Sequence, residues 1–383
     1  MSRLPIVKCT GCTACASICP QNCINMVSNE EGFLYPSIDI EKCTNCGLCE
    51  EICPLIKPLT KDEFEPKAYA AYSVDEEIRL ESSSGGIFSE IAKFVLNNDG
   101  CVYGAAYNDN FDVVHICVDN ENELYKLRGA KYAQSDLGNI FNDIKLKLDG
   151  GKLVLFSGTP CQVAGLKAFL GNEYTNLIMV DFICHSVPSP KVWKEYVKYR
   201  ASKDNEGKLP IRINLRSKET GWSRYKYSNR FEYDNGVVNS CPNSESVYMK
   251  LFVGGYISRK SCTDCHFKGY KRDGDITIGD FWGIWDIAPE IDDNKGTSAV
   301  VIQTQKGESI FKKISEYLIL KEVSLEDISR QNPAILMSSK CNEKKQDILT
   351  IIETEDFENC TKYMGIPNKS IKKTVIKFLK KIF

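Results

Sequence analysis

The sequence predicts an α+β protein of unlike parts: a small cysteine-rich N-terminal domain, a larger mixed α/β domain, and a C-terminal amphipathic helix. Three observations lead there. Nine of the 18 cysteines fall within the first 53 residues. A polar, proline-flanked stretch from Lys57 to Pro66 follows them. Beyond it, short apolar runs of strand type alternate with helical periodicity. The expected divisions are residues 1–60, 67–150, 151–340 and 341–383. A chain of 383 residues has room for a core of about 200–250 residues plus smaller units. Its net charge is −2, from 49 basic and 51 acidic residues, so nothing points to nucleic acid. No apolar run reaches 18 residues and no apolar leader opens the chain, so it reads as cytoplasmic. In such a chain, cysteines in tight C-x-x-C runs indicate metal rather than disulfides.

Cys9, Cys12, Cys15 and Cys19 precede Pro20, and Cys43, Cys46, Cys49 and Cys53 precede Pro54. Both runs fit C-x2-C-x2-C-x3-C-P, the spacing of bacterial two-cluster ferredoxins, in which the fourth cysteine ligates the other cluster. Residues 5–56 resemble that module. Its rule assigns Cys9, Cys12, Cys15 and Cys53 to one 4Fe–4S cube, and Cys43, Cys46, Cys49 and Cys19 to a second. Three thiolates within seven residues wrap one cube only where the backbone turns tightly, which Gly11, Ala14 and Gly47 permit. The alternative is zinc, whose sites usually show two C-x-x-C pairs rather than triplets with a distant fourth ligand. Cys23 is surplus and reads as a buried thiol. Two clusters in so small a domain pass single electrons.

After the linker comes a strand, Ala68 to Tyr72, and then Glu81-Ser82-Ser83-Ser84-Gly85-Gly86. The apolar pattern from Ile87 to Leu96 predicts a buried helix. A Ser/Gly turn opening a helix offers backbone N–H groups and the positive dipole end to a phosphate or flavin edge. A serine N-cap with no ligand is the plainer alternative. Strands are expected at Gly100–Tyr107 and Val113–Val118. In the following turn, Leu127 to Ser135, Arg128 and Lys131 flank Gly129 and could clamp a diphosphate, with Tyr132 to stack on a ring. A solvated charged turn explains the same residues.

Residues 153–157 form a strand, Gly158-Thr159-Pro160-Cys161 opens a helix reaching about Leu170, and a second strand from Leu177 to Ile183 ends at Cys184-His185. This is one βαβ unit with parallel strands, so Cys161 and Cys184 should emerge together at the carboxyl edge of the sheet. Cys161 also opens a helix, which should lower its thiol pKa. Cys262 and Cys265 supply a tight pair, followed by a strand at Asp275–Asp280. Together with Cys161 and Cys184 they would complete a third 4Fe–4S site. The alternatives are a redox-active thiol at Cys161 and a zinc pair or thiol switch at Cys262 and Cys265. Of three histidines, His115 reads as structural, and His185 and His266 each follow a proposed ligand.

Several motifs then occur in order: Ser82 to Ser89, Leu127 to Ser135, Gly158 to Gln162, Phe182 to His185 with Pro188-Ser189-Pro190, and Cys262-x-x-Cys265 through Gly279-Asp280-Phe281-Trp282-Gly283. As a set, over residues 67–340, they resemble the beta subunit family of coenzyme F(420) hydrogenases and dehydrogenases, fused to an N-terminal dicluster ferredoxin. The resemblance implies FAD contacts at Ser83, Ser84, Gly85, Gly86 and Lys131. It also implies a cluster on Cys161, Cys184, Cys262 and Cys265 beside the flavin. The implied function is exchange of electrons between a hydride carrier, a deazaflavin or other small molecule, and a one-electron carrier or redox partner protein. Two rivals are a ferredoxin-linked FAD reductase of another organic substrate and a non-catalytic electron-transfer subunit. At the end of the chain, residues 367–383 place apolar positions near one helical face and lysines elsewhere. Such a helix suits an anionic membrane surface at the inner face, or docking on the core.

Overall fold

The computed structural model describes residues 4–61, 63–223 and 226–365. The basic amphipathic helix expected at 367–383 lies outside the described residues.

The N-terminal module is built from two short helices and a hairpin: α1 (Ala14–Ile18), β1 (Ile24–Ser28), β2 (Leu34–Ile38) and α2 (Leu48–Glu51), with Ile24 opposite Ile38 in the antiparallel pair. After the linker come β3 (Lys67–Ser73), α3 (Glu76–Glu81), α4 (Ile87–Leu96), β4 (Cys101–Tyr107) and β5 (Val113–Val118). Then follow α5 (Ile140–Asp149), β6 (Val154–Gly158), α6 (Pro160–Leu170), β7 (Leu177–Phe182) and α7 (Pro190–Asp204). A small antiparallel sheet of β8 (Arg212–Ser217), β9 (Ser228–Glu232) and β10 (Val238–Pro242) precedes α8 (Val247–Val253). The last strands are β11 (Ile276–Asp280), β12 (Ser298–Ile302) and β13 (Leu318–Val323).

Eight strands form the main sheet, in the order β13-β3-β12-β11-β7-β6-β4-β5. Its centre is parallel (β4, β6, β7, β11) and its flanks antiparallel. The expected βαβ unit is present: Val154 pairs with Leu177 and Gly158 with Asp181, joined by α6. Both sheet faces are covered, which explains the near-continuous apolar runs of the central strands. On one side Ile91 and Val95 of α4 pack on Val102, Leu155, Ile178 and Val300. On the other, Phe141 of α5 and Val163, Leu166 and Phe169 of α6 pack on Phe156 and Met179. Each fully buried Ile, Leu or Val contributes about 1.5–3 kcal/mol, so these two layers fix where the strand ends lie. A third cluster, around Trp193, Tyr196, Phe231 and Tyr248, joins α7 and α8 to the small sheet. The sheet runs across the boundary drawn at residue 150, so residues 67–150 and 151–340 share one core.

Candidate functional site

The carboxyl ends of β6, β7 and β11 open onto one cavity of about 1520 Å³. Its wall includes Ser83, Ser84 and Gly86 before α4, Lys131 and Tyr132 after β5, Cys161 in α6, and Cys184 and His185 after β7. Four of the five residues nominated for the flavin and two of the four core cysteines thus face one space. Gly85 stands behind it. Its N–H donates to Ser298 Oγ (2.9 Å), and a Cβ there would meet Ala71 O at 2.5 Å. The residue that opens α4 is Gly86 in the left-handed region (φ 89°), not a serine, and no side chain caps it.

The serine–glycine turn is held from below. Trp222 Nε1 and Arg216 Nη2 donate to Ser83 O (3.0 and 3.3 Å), and Lys218 Nζ donates to Ser84 O (2.6 Å). Arg216 forms a two-pronged pair with Asp280 (2.9 and 3.1 Å) and lies over the rings of Tyr227 and Trp282. Lys131 Nζ donates to the carbonyls of Lys126 (3.0 Å) and Arg128 (2.7 Å), and burial pushes its amine down to about 7. Burial, then repulsion from Arg79 and Arg216, brings Lys218 to about 7 as well. His115 also reaches the cavity wall. Burial lowers it to about 4, so it is neutral at pH 7; Nε2 faces Ser157 O at 3.1 Å, and Nδ1 is buried without a partner. His185 packs its edge on Phe252, whereas His266 is exposed and away from the cavity. Six basic side chains (Arg128, Lys131, Arg216, Lys250, Lys340, Lys344) and two carboxylates (Asp280, Glu343) line the space, which therefore favours an anionic occupant.

The two N-terminal cysteine runs fold alike. Gly11 and Asn45, two residues after the first cysteine, have φ of 73° and 54°; Thr13 and Gly47, four residues after it, have 65° and 81°. This repeated left-handed pair curls each triplet inward before α1 and α2 begin. Cys9, Cys12, Cys15 and the distant Cys53 line one small apolar space with Leu4, Met26 and Pro36. These are the four that the ferredoxin rule groups. Of the second set, Cys46 is exposed, and Cys19 Sγ is 3.3 Å from Sγ of the buried Cys23. Among the described residues no three His, Cys, Asp or Glu side chains could hold a single metal ion, whereas zinc needs its ligands at about 2.0–2.3 Å.

In the core, Cys161 and Cys184 each have Cys262 and Cys265 as electrostatic neighbours. Thr159 caps α6 and sits 3.1 Å from Cys161 Sγ. The expectation of a lowered thiol there is corrected: burial pushes Cys161 up to about 12, with repulsion from Cys265 and Cys262 adding to it. A helix end is worth about 0.3–1 kcal/mol, less than the desolvation of a buried thiolate. Burial likewise raises Cys12, Cys15 and Cys184. Thiols crowded in this way become thiolates readily only when a metal centre supplies the opposing charge.

The two thiol regions touch through α6. A Cβ on Gly165, one turn after Cys161, would meet Cys12 Cβ at 2.8 Å and Cys12 Sγ at 3.0 Å. Gln134 seals the seam, its side-chain carbonyl accepting from Leu34 N–H (2.9 Å) and its backbone N–H donating to Pro188 O (3.1 Å).

A module with two four-cysteine runs, packed on an α/β domain whose sheet edge carries further cysteines, defines a class of iron–sulfur electron-transfer proteins. Residues 8–55 match a 4Fe-4S dicluster domain; residues 68–142 and 151–328 match, respectively, the N-terminal and C-terminal parts of the coenzyme F(420) hydrogenase/dehydrogenase beta subunit. The chain belongs to that beta subunit family, with a dicluster domain at its N-terminus, and is an iron–sulfur oxidoreductase. Among solved structures it is similar to a chain of the F(420)-reducing NiFe hydrogenase complex from Methanosarcina barkeri, studied by xenon derivatization. Identity is 18%, coverage 76% of this chain and 94% of that one, and the TM-score 0.49. Among curated proteins none matches.

Proposed function

We propose that this chain is an FAD- and 4Fe–4S-dependent oxidoreductase of the cytoplasm. It would exchange electrons between a hydride carrier of the coenzyme F(420) type and a one-electron partner protein, using FAD and three clusters. One observation carries the reading: a single cavity borders the serine–glycine turn, Lys131, Cys161 and Cys184. At about 1520 Å³ it exceeds the roughly 300–1,000 Å³ of an ordinary ligand pocket, leaving room for a cofactor and a second molecule. Its cationic lining suits a dinucleotide, and Ser83 Oγ is buried there without a protein partner.

When bound, FAD exchanges an electron pair with a hydride donor and single electrons with an iron–sulfur cluster. The chain's own residues supply position and charge. Ser83, Ser84 and Gly86 present backbone to an anionic group, and Lys131 adds a cation whose protonation responds to it. Trp222, Arg216 and Lys218 keep the turn from sagging by holding its carbonyls. Gly85 supports the turn through Ser298. Cys161, Cys184, Cys262 and Cys265 would hold the core cluster, and the eight ferredoxin cysteines the other two.

The test is anaerobic reduction of the purified chain by reduced coenzyme F(420), compared with dithionite and with reduced ferredoxin. The reading expects the coenzyme to bleach both flavin and iron–sulfur absorption. If only dithionite or ferredoxin bleaches them, the coenzyme assignment fails and a ferredoxin-linked reductase of another substrate takes its place. A chain that carries iron but no FAD would be a non-catalytic electron-transfer subunit.

A further inference from the structure

Arg259 is 1% exposed, and among the described residues no carboxylate lies within 4.0 Å of it. Its Nε donates to Cys9 O (2.9 Å), one terminal nitrogen to Leu34 O (2.9 Å), and the other to Gln134 Oε1 (3.2 Å). The guanidinium lies 4.0 Å over the ring of Tyr35. Its backbone belongs to the other thiol region. The N–H donates to Val187 O (2.8 Å), and the carbonyl accepts from Cys262 N–H (3.0 Å), opening the turn that bears Cys262 and Cys265. One residue therefore ties the loop of Cys9 to the loop of Cys262.

Carbonyl oxygens satisfy its hydrogen bonds but not its charge. A guanidinium stays protonated at any physiological pH, and burying it is strongly unfavourable unless an anion faces it. Cys9 and Cys262 are the acidic groups its contacts bring near. Lys268, which donates to Cys184 O, contacts the core set alone.

We propose that Arg259 is the shared counter-charge of two sites, Cys9/Cys12/Cys15/Cys53 and Cys161/Cys184/Cys262/Cys265, positioning both loops and raising both reduction potentials. The proposal rests on the reading that these cysteines hold iron–sulfur clusters. A fixed cation beside an anionic cluster favours the more reduced form, so its removal lowers the potential. The hydrogen bonds of Arg259 run to the loops of Cys9 and Cys262, so the second ferredoxin site, made by Cys19, Cys43, Cys46 and Cys49, serves as the internal reference.

The experiment is iron analysis and a redox titration followed by electron paramagnetic resonance on the full chain, with Arg259→Gln and Arg259→Lys. In the wild type, iron near zero defeats the cluster reading and this proposal with it. With iron present, Arg259→Gln should lower two of the three midpoint potentials by about tenfold in the reduction equilibrium, 59 mV for one electron, and leave the third unmoved. Three unmoved potentials overturn the proposal while the cluster reading stands. If the Gln variant does not retain iron, Arg259→Lys decides, because it keeps the charge and loses the fork. Reduction equilibria within about threefold of wild type, about 30 mV for one electron, support a charge role, and two lowered potentials overturn it.

Discussion

The two cysteine runs share one spacing and one backbone shape, yet they stand in different surroundings. In the first, Gly11 is pressed against the core: an added Cβ would meet Gln134 Nε2 at 2.3 Å and Leu34 O at 2.9 Å. In the second, the glycine stands two places later in the loop, matching Thr13 of the first, and nothing lies within 4 Å of a Cβ on Gly47. Cys12 abuts α6 and is half-buried, whereas Cys46 is exposed. Spacing thus specifies a ligand loop, and the packing around that loop specifies its place. The first run faces the cavity domain and the second faces outward, where a partner protein could reach it.

Substitutions that disturb the seat of the first run should break this contrast most sharply. Gly165→Val forces branched carbons into Cys12 and should destabilise the chain by about 3 kcal/mol. It should also cost roughly four of about twelve irons, one cube; a denaturant melt with iron analysis checks both. A smaller, differential effect is expected from the left-handed glycine of each run, Gly11 at the second position after the first cysteine and Gly47 at the fourth. Gly11→Ala combines left-handed strain with a clash and should lose about 2–3 kcal/mol, while Gly47→Ala carries only the strain, about 1–2 kcal/mol. Equal losses would mean that the packing against Gly11 adds nothing to the strain.

The mildest prediction concerns pH. Burial depresses Lys131 from 10.5 to about 7, so it is cationic below that value and neutral above it. An anionic cofactor should therefore bind best below pH 7, its affinity falling by up to about tenfold per unit as pH rises through and beyond 7. Lys131→Met should weaken binding at pH 6 and flatten the profile; FAD fluorescence titrations from pH 6 to 9 check it.

Much of the fold was legible because its signals were local. The βαβ unit, the helix at Ile87–Leu96 and the cysteine repeats each depend on residues close in sequence. Half-visible were the core thiols: the carboxyl-edge rule brought Cys161 to Cys184, but the helix end suggested a lowered pKa where burial raises it. Arg216, Trp222 and Arg259 carried no signal, and Gln134 lay unremarked within the stretch from Leu127 to Ser135. Each is a lone residue in a polar strand or loop, and its meaning comes from partners 64 to 250 positions away, such as Asp280, Ser83, Leu34 and Cys9. His115 read as structural from its alternating strand, and it is buried, yet it also borders the cavity.

A reductive titration that counts electrons tests the central claim most directly. One FAD takes two electrons and each of three clusters takes one, so the anaerobically purified chain should absorb about five. An uptake of about two, with no flavin band, would leave only the ferredoxin module active and would contradict the account of the cavity.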